Sequence, residues 1–237
     1  MAVLLLIETA TPVCSVAISS DHNLLALKES NERNIHSERI TVFIQGLTKE
    51  AGISFDQVDA IVVSKGPGSY TGLRIGVSTA KGLCFALDKP LIAIPTLQSM
   101  AYGAKEQIPE IPEHCKDKLL LCPMIDARRM EVYTAVYDID LEEVYKTSAD
   151  IITDESFKPF LEENCLLFFG DGAAKCKDIL QTDENAIFLD DFSISSQFMI
   201  SLAEQAYLKG EFVDTAYFEP YYLKDFIAGK PRVKGLK

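Results

Sequence analysis

Two distant stretches of this chain follow one plan, and that repeat limits the fold more than any other feature. LLIETATPVCSVAISSDHNLLA from Leu5 and CPMIDARRMEVYTAVYDIDLEEV from Cys122 each read strand, acid, turn, strand, turn, strand. Self-similarity on this scale marks a duplicated unit. In the first copy, Val3 to Glu8 is a continuous apolar run of the kind buried on both faces of a sheet, and Val13 to Ser19 alternates apolar with small polar residues. Leu24 to Ser30 predicts a third strand. Ile40, Phe43, Ile44, Leu47 and Ala51 then take the three-four spacing of an amphipathic helix over Ser37 to Ala51, stopped by Gly52. Ala60 to Ser64 predicts a buried strand, Lys65 to Thr71 a glycine-rich turn, Gly72 to Leu87 a second helix, and Leu91 to Pro95 a closing strand.

The second copy predicts strands at Leu119 to Asp126, Glu131 to Tyr137 and Glu142 to Thr147. A helical stretch around Glu155 to Glu163, a strand at Cys165 to Phe169 and a turn at Gly170 to Ala173 follow. The proline-bearing, mixed-charge segment 104–118 reads as a linker. It divides the chain into lobes 1–103 and 119–237, with the last helix free to pack back on the first lobe. The expected fold class is α/β, with two duplicated β-β-β-α-β-α lobes in the layout of the actin-like ATPase (ASKHA, ribonuclease H-like) fold. That layout is an analogy of architecture and assigns no function.

Composition excludes several roles. Lys and Arg are outnumbered 23 to 35, for a net charge of −12. A chain that held nucleic acid alone would need a basic patch to neutralise phosphates, so any RNA role must be shared with a more basic partner. The locally basic end, Lys224 to Lys237, reads as a solvated tail. No apolar run approaches the ~20 residues of a membrane span, and no secretory leader is visible. The expected location is cytoplasmic, without membrane association. Cys14, Cys84, Cys115, Cys122, Cys165 and Cys176 are scattered among apolar neighbours with no C-x-x-C pair, which predicts buried thiols and no metal site.

The most specific segment is VVSKGPGSYTGLRIGVSTAKGLCFAL from Val62. Gly66 and Gly68 permit a sharp turn that Pro67 stiffens. A glycine turn opening onto a helix N-terminus can hold an anion, or the glycines serve only tight strand-to-helix packing. The helix is apolar or small round most of its circumference, and Gly72, Gly76 and Ala80 recur every four residues. Val42 lies outside the main apolar face of the preceding helix. Either a partner molecule covers these two helices, or they pack on each other and on the second lobe. The candidate interface residues are Ile40, Phe43, Ile44, Leu47, Leu73, Gly76, Val77, Ala80, Leu83 and Cys84.

LLIETATPVCSVAI from Leu5, HSERI from His36, the Val62 segment and MIDARRMEVYTAVY from Met124 resemble the TsaB (YeaZ) family of the glycoprotease-like, TsaD-related superfamily. The likeness covers most of the first half and the start of the second. It implies a partner subunit for the paralogue TsaD, which transfers a threonylcarbamoyl group to the adenosine next to the tRNA anticodon. It also implies a small ATPase partner, TsaE, a homodimer when the chain is alone, contact with tRNA only through the complex, and a partner surface on the pair of first-lobe helices.

The residues argue against independent catalysis, and no catalytic residue is assigned. A metal site of the TsaD kind uses H-x-x-x-H, two imidazoles on one helix face; here His36 is followed by Ile40, and His36 reads as a helix-entry or surface histidine. Sugar kinases and actin-like enzymes hold phosphates on glycine-bearing hairpins after the first strand of each lobe. The equivalent turns here begin at Glu8-Thr9-Ala10-Thr11 and Asp126-Ala127-Arg128, with no glycine. Glu8, Thr9, Thr11, Gly66, Gly68, Asp126, Gly170 and Gly172 are the candidate nucleotide or phosphate positions. No cofactor is required on this reading, and weak ATP or ADP binding at the cleft or the subunit interface stays open. Arg74 and Lys81 either reach a partner or snorkel to solvent, and Arg128 and Arg129 either pair locally or replace a lost phosphate. The alternatives are a self-associating glycoprotease-like peptidase, or a weak nucleotide binder outside the tRNA pathway.

Overall fold

The computed structural model describes residues 2–32, 35–181 and 183–224. β1 (Val3–Glu8), β2 (Cys14–Ser20) and β3 (Asn23–Ser30) form an antiparallel meander. α1 (His36–Ala51), β4 (Ala60–Ser64), α2 (Tyr70–Leu87), β5 (Leu91–Ile94) and α3 (Thr96–Lys105) follow. The plan repeats as β6 (Leu119–Asp126), β7 (Glu131–Tyr137), β8 (Glu143–Ile151), α4 (Lys158–Leu161), β9 (Cys165–Phe169), α5 (Asp171–Leu180), β10 (Ala186–Leu189) and α6 (Ile200–Lys209). The sheets run β3-β2-β1-β4-β5 and β10-β9-β6-β7-β8, one order read from opposite ends. In each, the meander is antiparallel and the last two strands join in parallel. This is the duplicated actin-like ATPase fold that the repeat predicts.

The continuous apolar runs of β1 and β6 follow from burial on both faces. Leu5 and Ile7 point to a core under α1 and α2, while Leu4 and Leu6 point to a second core with Met199, Ile200, Ala203 and Ala206. On β6, Leu119, Leu121 and Ile125 meet Leu97, Met100, Ala101 and Ala104 of α3, and Leu120, Cys122 and Met124 meet α5. The two halves therefore exchange helices: α3 covers the second sheet, and α6 returns to the first. At the crossing, Ser15 and Ser196 are hydrogen-bonded at 2.7 Å, and Phe198 packs where a side chain at Gly103 would stand.

Several boundaries differ from the sequence expectation. α3 and β10 are additional, β8 runs on to Ile151, and the helical stretch 155–163 shortens to α4. Helix α5 begins at Asp171, where a turn is expected, because Gly170 at φ 97° caps it directly. Segment 104–118 starts in the last turn of α3 and contains a 3-10 turn at Glu113–Cys115. Cys115 and Cys165 form a disulfide, which corrects the expectation of six thiols; Cys14, Cys84, Cys122 and Cys176 are free and buried. Of the basic tail, Lys224 pairs with Glu131, and 225–237 lie outside the described residues. No helix among the described residues is long and apolar enough to cross a membrane.

Candidate functional site

Helices α1 and α2 lie side by side on one face of the first sheet. Of the ten interface candidates, Ile40, Ile44, Leu47, Leu73, Gly76, Val77, Ala80 and Cys84 are buried within the lobe, and Phe43 and Leu83 are partly buried against the same core. Most of the apolar supply on these helices is thus consumed by the chain itself. The large apolar side chains left exposed on these helices are Val42 on α1, 55% exposed, and Phe85 on α2, 90% exposed. Phe85 escaped the sequence reading because the helix is apolar nearly all round, which hides the solvent side. Its phase was the available signal: with Ser78 and Gly82 it falls opposite the buried residues 73, 77, 80 and 84.

The small residues of α2 have an intramolecular partner. A Cβ at Gly72 would stand 2.0 Å from Thr9 O, and one at Gly76 would stand 2.2 Å from Thr9 Oγ1. Thr9 Oγ1 donates to Gly72 O at 2.9 Å, and Ser69 N–H donates to Ala10 O at 2.6 Å. The turn after β1 lies in the glycine strip, so the strip is not a free surface for another helix. A Cβ at Gly82, by contrast, would meet nothing within 4 Å among the described residues.

That same contact defines the interlobe cleft. Thr11, Gly68 and Ser69 line a cavity of about 440 Å³ opposite Asp126, Arg128 and Asp171. Glu8 and Thr9 are wholly buried behind it. Glu8 Oε1 accepts from Ala10 N–H at 2.6 Å and Ser64 Oγ at 2.9 Å, while Oε2 is buried without a partner among the described residues. Burial pushes its carboxyl up to about 7, against the opposing hydrogen bonds. His36 is also buried: its Nε2 lies 3.0 Å from Thr11 O and 3.2 Å from Val13 O. Both are acceptors, so Nε2 carries the hydrogen and is spent on the turn; His36 is the helix-entry residue, as α1 begins there, and not a surface one.

Backbone donors at the two hairpin turns and at the start of α2 are the groups a nucleotide would use, and several of them are engaged within the chain. Val13 N–H donates to Thr11 Oγ1, and Gly72 N–H to Ser69 Oγ. Across the cleft, Asp126 N–H donates to Asp171 Oδ1 at 3.0 Å, Ala127 N–H to Glu131 O at 3.1 Å, and Arg128 N–H to Asp126 Oδ1 at 2.8 Å. Arg128 and Arg129 take positive φ, the conformation a glycine would supply. Asp126 pairs with Lys175, and burial raises the Asp171 carboxyl. Gly170 and Gly172 serve packing, since Cβ atoms there would strike Met124 O and the Met124 and Ile125 backbone. Gly66, at φ 108° before a cis bond to Pro67, is closed over by Tyr221 O. The N–H groups named here are thereby committed within the chain.

The chain's own C-terminal segment answers for Arg74 and Lys81. Lys81 Nζ donates to Ala216 O and Phe218 O at 3.1 and 3.0 Å. Arg74 donates to Tyr222 Oη at 3.3 Å and stacks 4.1 Å over the Tyr70 ring. Tyr221 N–H donates to Lys65 O at 2.7 Å, so the segment straps one flank of α2 and runs on to the cleft.

A family model described as TsaD, tRNA N6-adenosine threonylcarbamoyltransferase, matches residues 29–229. The tRNA threonylcarbamoyladenosine biosynthesis protein TsaB of Escherichia coli is 30% identical, over 96% of this chain and 96% of its own. The Bacillus subtilis protein of the same description is 30% identical over 75% of each chain. Among solved structures, YeaZ from Pseudomonas aeruginosa superposes with a TM-score of 0.78 at 27% identity, covering 94% of this chain and all of that one.

Proposed function

The chain belongs to the TsaB (YeaZ) family of TsaD-related proteins, and on that premise we propose that it is the non-catalytic partner subunit that binds and activates TsaD for threonylcarbamoyl transfer to tRNA. The single observation that carries this reading is that Phe85 on α2 and Val42 on α1 stand in solvent on adjacent helices whose other large apolar residues are buried or partly buried against the lobe. Phe43 and Leu83, partly buried at the flanks, complete the docking surface, and the buried members of the set hold its shape. The cleft supports an accessory role, because several of its turn donors are engaged inside the chain. ATP or ADP is not required for this role, and any occupancy of the cleft is weak. TsaE joins through the complex, tRNA is contacted only there, and the isolated chain pairs with itself through the same helices. The setting is cytoplasmic.

The test is direct binding to a TsaD transferase by calorimetry, with Phe85→Asp as the probe. Burying a phenylalanine contributes about 1.5–3 kcal/mol, so the variant should bind about tenfold to a hundredfold more weakly. Its Tm should stay near that of the parent, because Phe85 touches little of its own chain. Unchanged affinity removes this surface from the interface.

A further inference from the structure

The fold gathers three metal-type donors that the sequence keeps apart. His114 and Cys115 sit on the 3-10 turn between the lobes, and Cys165 opens β9, a separation of 50 residues. The pairing of β6 with β9 makes the meeting: Cys165 N–H donates to Lys118 O at 3.0 Å, just before β6 begins. The His114 ring nitrogen and both sulfurs lie within 4.8 Å of one another. Asn185 completes the group, its Oδ1 3.1 Å from His114 Nε2 and 3.4 Å from Cys165 Sγ. That amide is held in place, since Nδ2 donates to Leu161 O and the backbone N–H to Asp183 Oδ1, both at 2.8 Å.

We propose that, once the Cys115–Cys165 disulfide is opened, His114, Cys115 and Cys165 form a zinc site, with Asn185 Oδ1 or a water as fourth ligand. A reducing compartment keeps such pairs as thiols, and a dithiol beside an imidazole is a soft donor set suited to zinc. Zinc reaches sulfur at about 2.3 Å and nitrogen at about 2.0 Å, so donors already this close need only the freed sulfurs to part. Two thiolates and a neutral imidazole leave a divalent ion with no net charge, which suits a place where both sulfurs are buried. His114 is exposed and gives the ion its way in. The balance is simple. A phosphine breaks the S–S bond and becomes its oxide with oxygen from water, leaving two thiols; zinc then displaces both thiol protons. Disulfide and zinc are alternative staples between the interlobe turn and the second sheet. This inference stands apart from the partner-subunit reading.

The experiment is an anaerobic cobalt(II) titration of the full chain after phosphine reduction and desalting. One cobalt per chain should bind with a thiolate-to-metal charge-transfer band and the intense visible bands of a tetrahedral ion, and zinc should displace it. Cys115→Ser and Cys165→Ser should each weaken binding at least tenfold and strip intensity from the band; His114→Ala should weaken it by about tenfold. The unreduced parent chain, which carries no substitution, should give no band, so the test survives a variant that folds poorly. A reduced parent chain without the band overturns the proposal. So does a band that keeps its intensity in Cys115→Ser, which would place cobalt on other thiols.

Discussion

Replacing Glu8 by Gln should remove a loss of stability that this protein suffers as pH rises. Glu8 ends β1 with no solvent exposure, and one of its carboxylate oxygens has no partner among the described residues. Burial raises its pKa from the ordinary 4.5 to about 7, so between those values the folded chain holds a proton that the unfolded chain has released. Stability from this group is complete below 4.5 and is lost as pH rises through 7, at about 1.4 kcal/mol per pH unit, for a total of about 3 kcal/mol. Gln carries no charge at any pH, and its amide oxygen can keep the bonds from Ala10 N–H and Ser64 Oγ; its NH2 takes the place of Oε2, at a cost that does not change with pH. Urea denaturation should therefore show the stability of Glu8→Gln relative to the parent rising by about 2.5 kcal/mol between pH 5 and pH 8, with an unchanged slope. A difference between variant and parent that is independent of pH refutes the reasoning.

The glycines of α2 should divide by position. Gly72→Ala forces a methyl onto Thr9 O and should cost about 1–3 kcal/mol. Gly82→Ala, in open space, should gain about 0.5–1 kcal/mol. Thermal melts of the two variants should move in opposite directions, and a common direction contradicts the packing account. The free thiols should resist alkylation in the native protein: burial pushes Cys122 up to about 12 and Cys14 and Cys84 up to about 11. Mass spectrometry after iodoacetamide near pH 8 should find them unmodified until urea is added, and equal labelling in both states would show that these thiols are not shielded.

The parts legible in the sequence are those fixed by local pattern. β1, β4, β6, β7 and β9 are buried on one or both faces and announce themselves as apolar or alternating runs, so their ends fall where the composition changes. α3 carries Leu97, Met100, Ala101 and Ala104 at helical spacing, but its ten residues include Ser99 and Gly103 and follow a proline, which masks the pattern. That it covers the second sheet while α6 covers the first is a tertiary exchange with no local sign. Gly72 and Gly76 do signal a close backbone approach; a sequence cannot say that the approaching atoms are Thr9 of the same chain rather than a partner helix. At Gly170 to Gly172 the glycines suggest a turn, whereas they let α5 start against β6. Cys115 and Cys165 meet only because β6 and β9 are neighbours. The exposed Phe85 is a matter of helical phase, readable only after the buried face of α2 is known.

The central claim is tested most directly by threonylcarbamoyladenosine formation on unmodified tRNA, with a TsaD transferase, TsaE, ATP and the activated threonyl donor, in the presence and absence of this chain. The account predicts that modification requires the chain, that the chain alone hydrolyses nothing, and that Phe85→Asp lowers the yield at limiting concentration and recovers it when the variant is in excess. Equal modification without the chain would contradict the account.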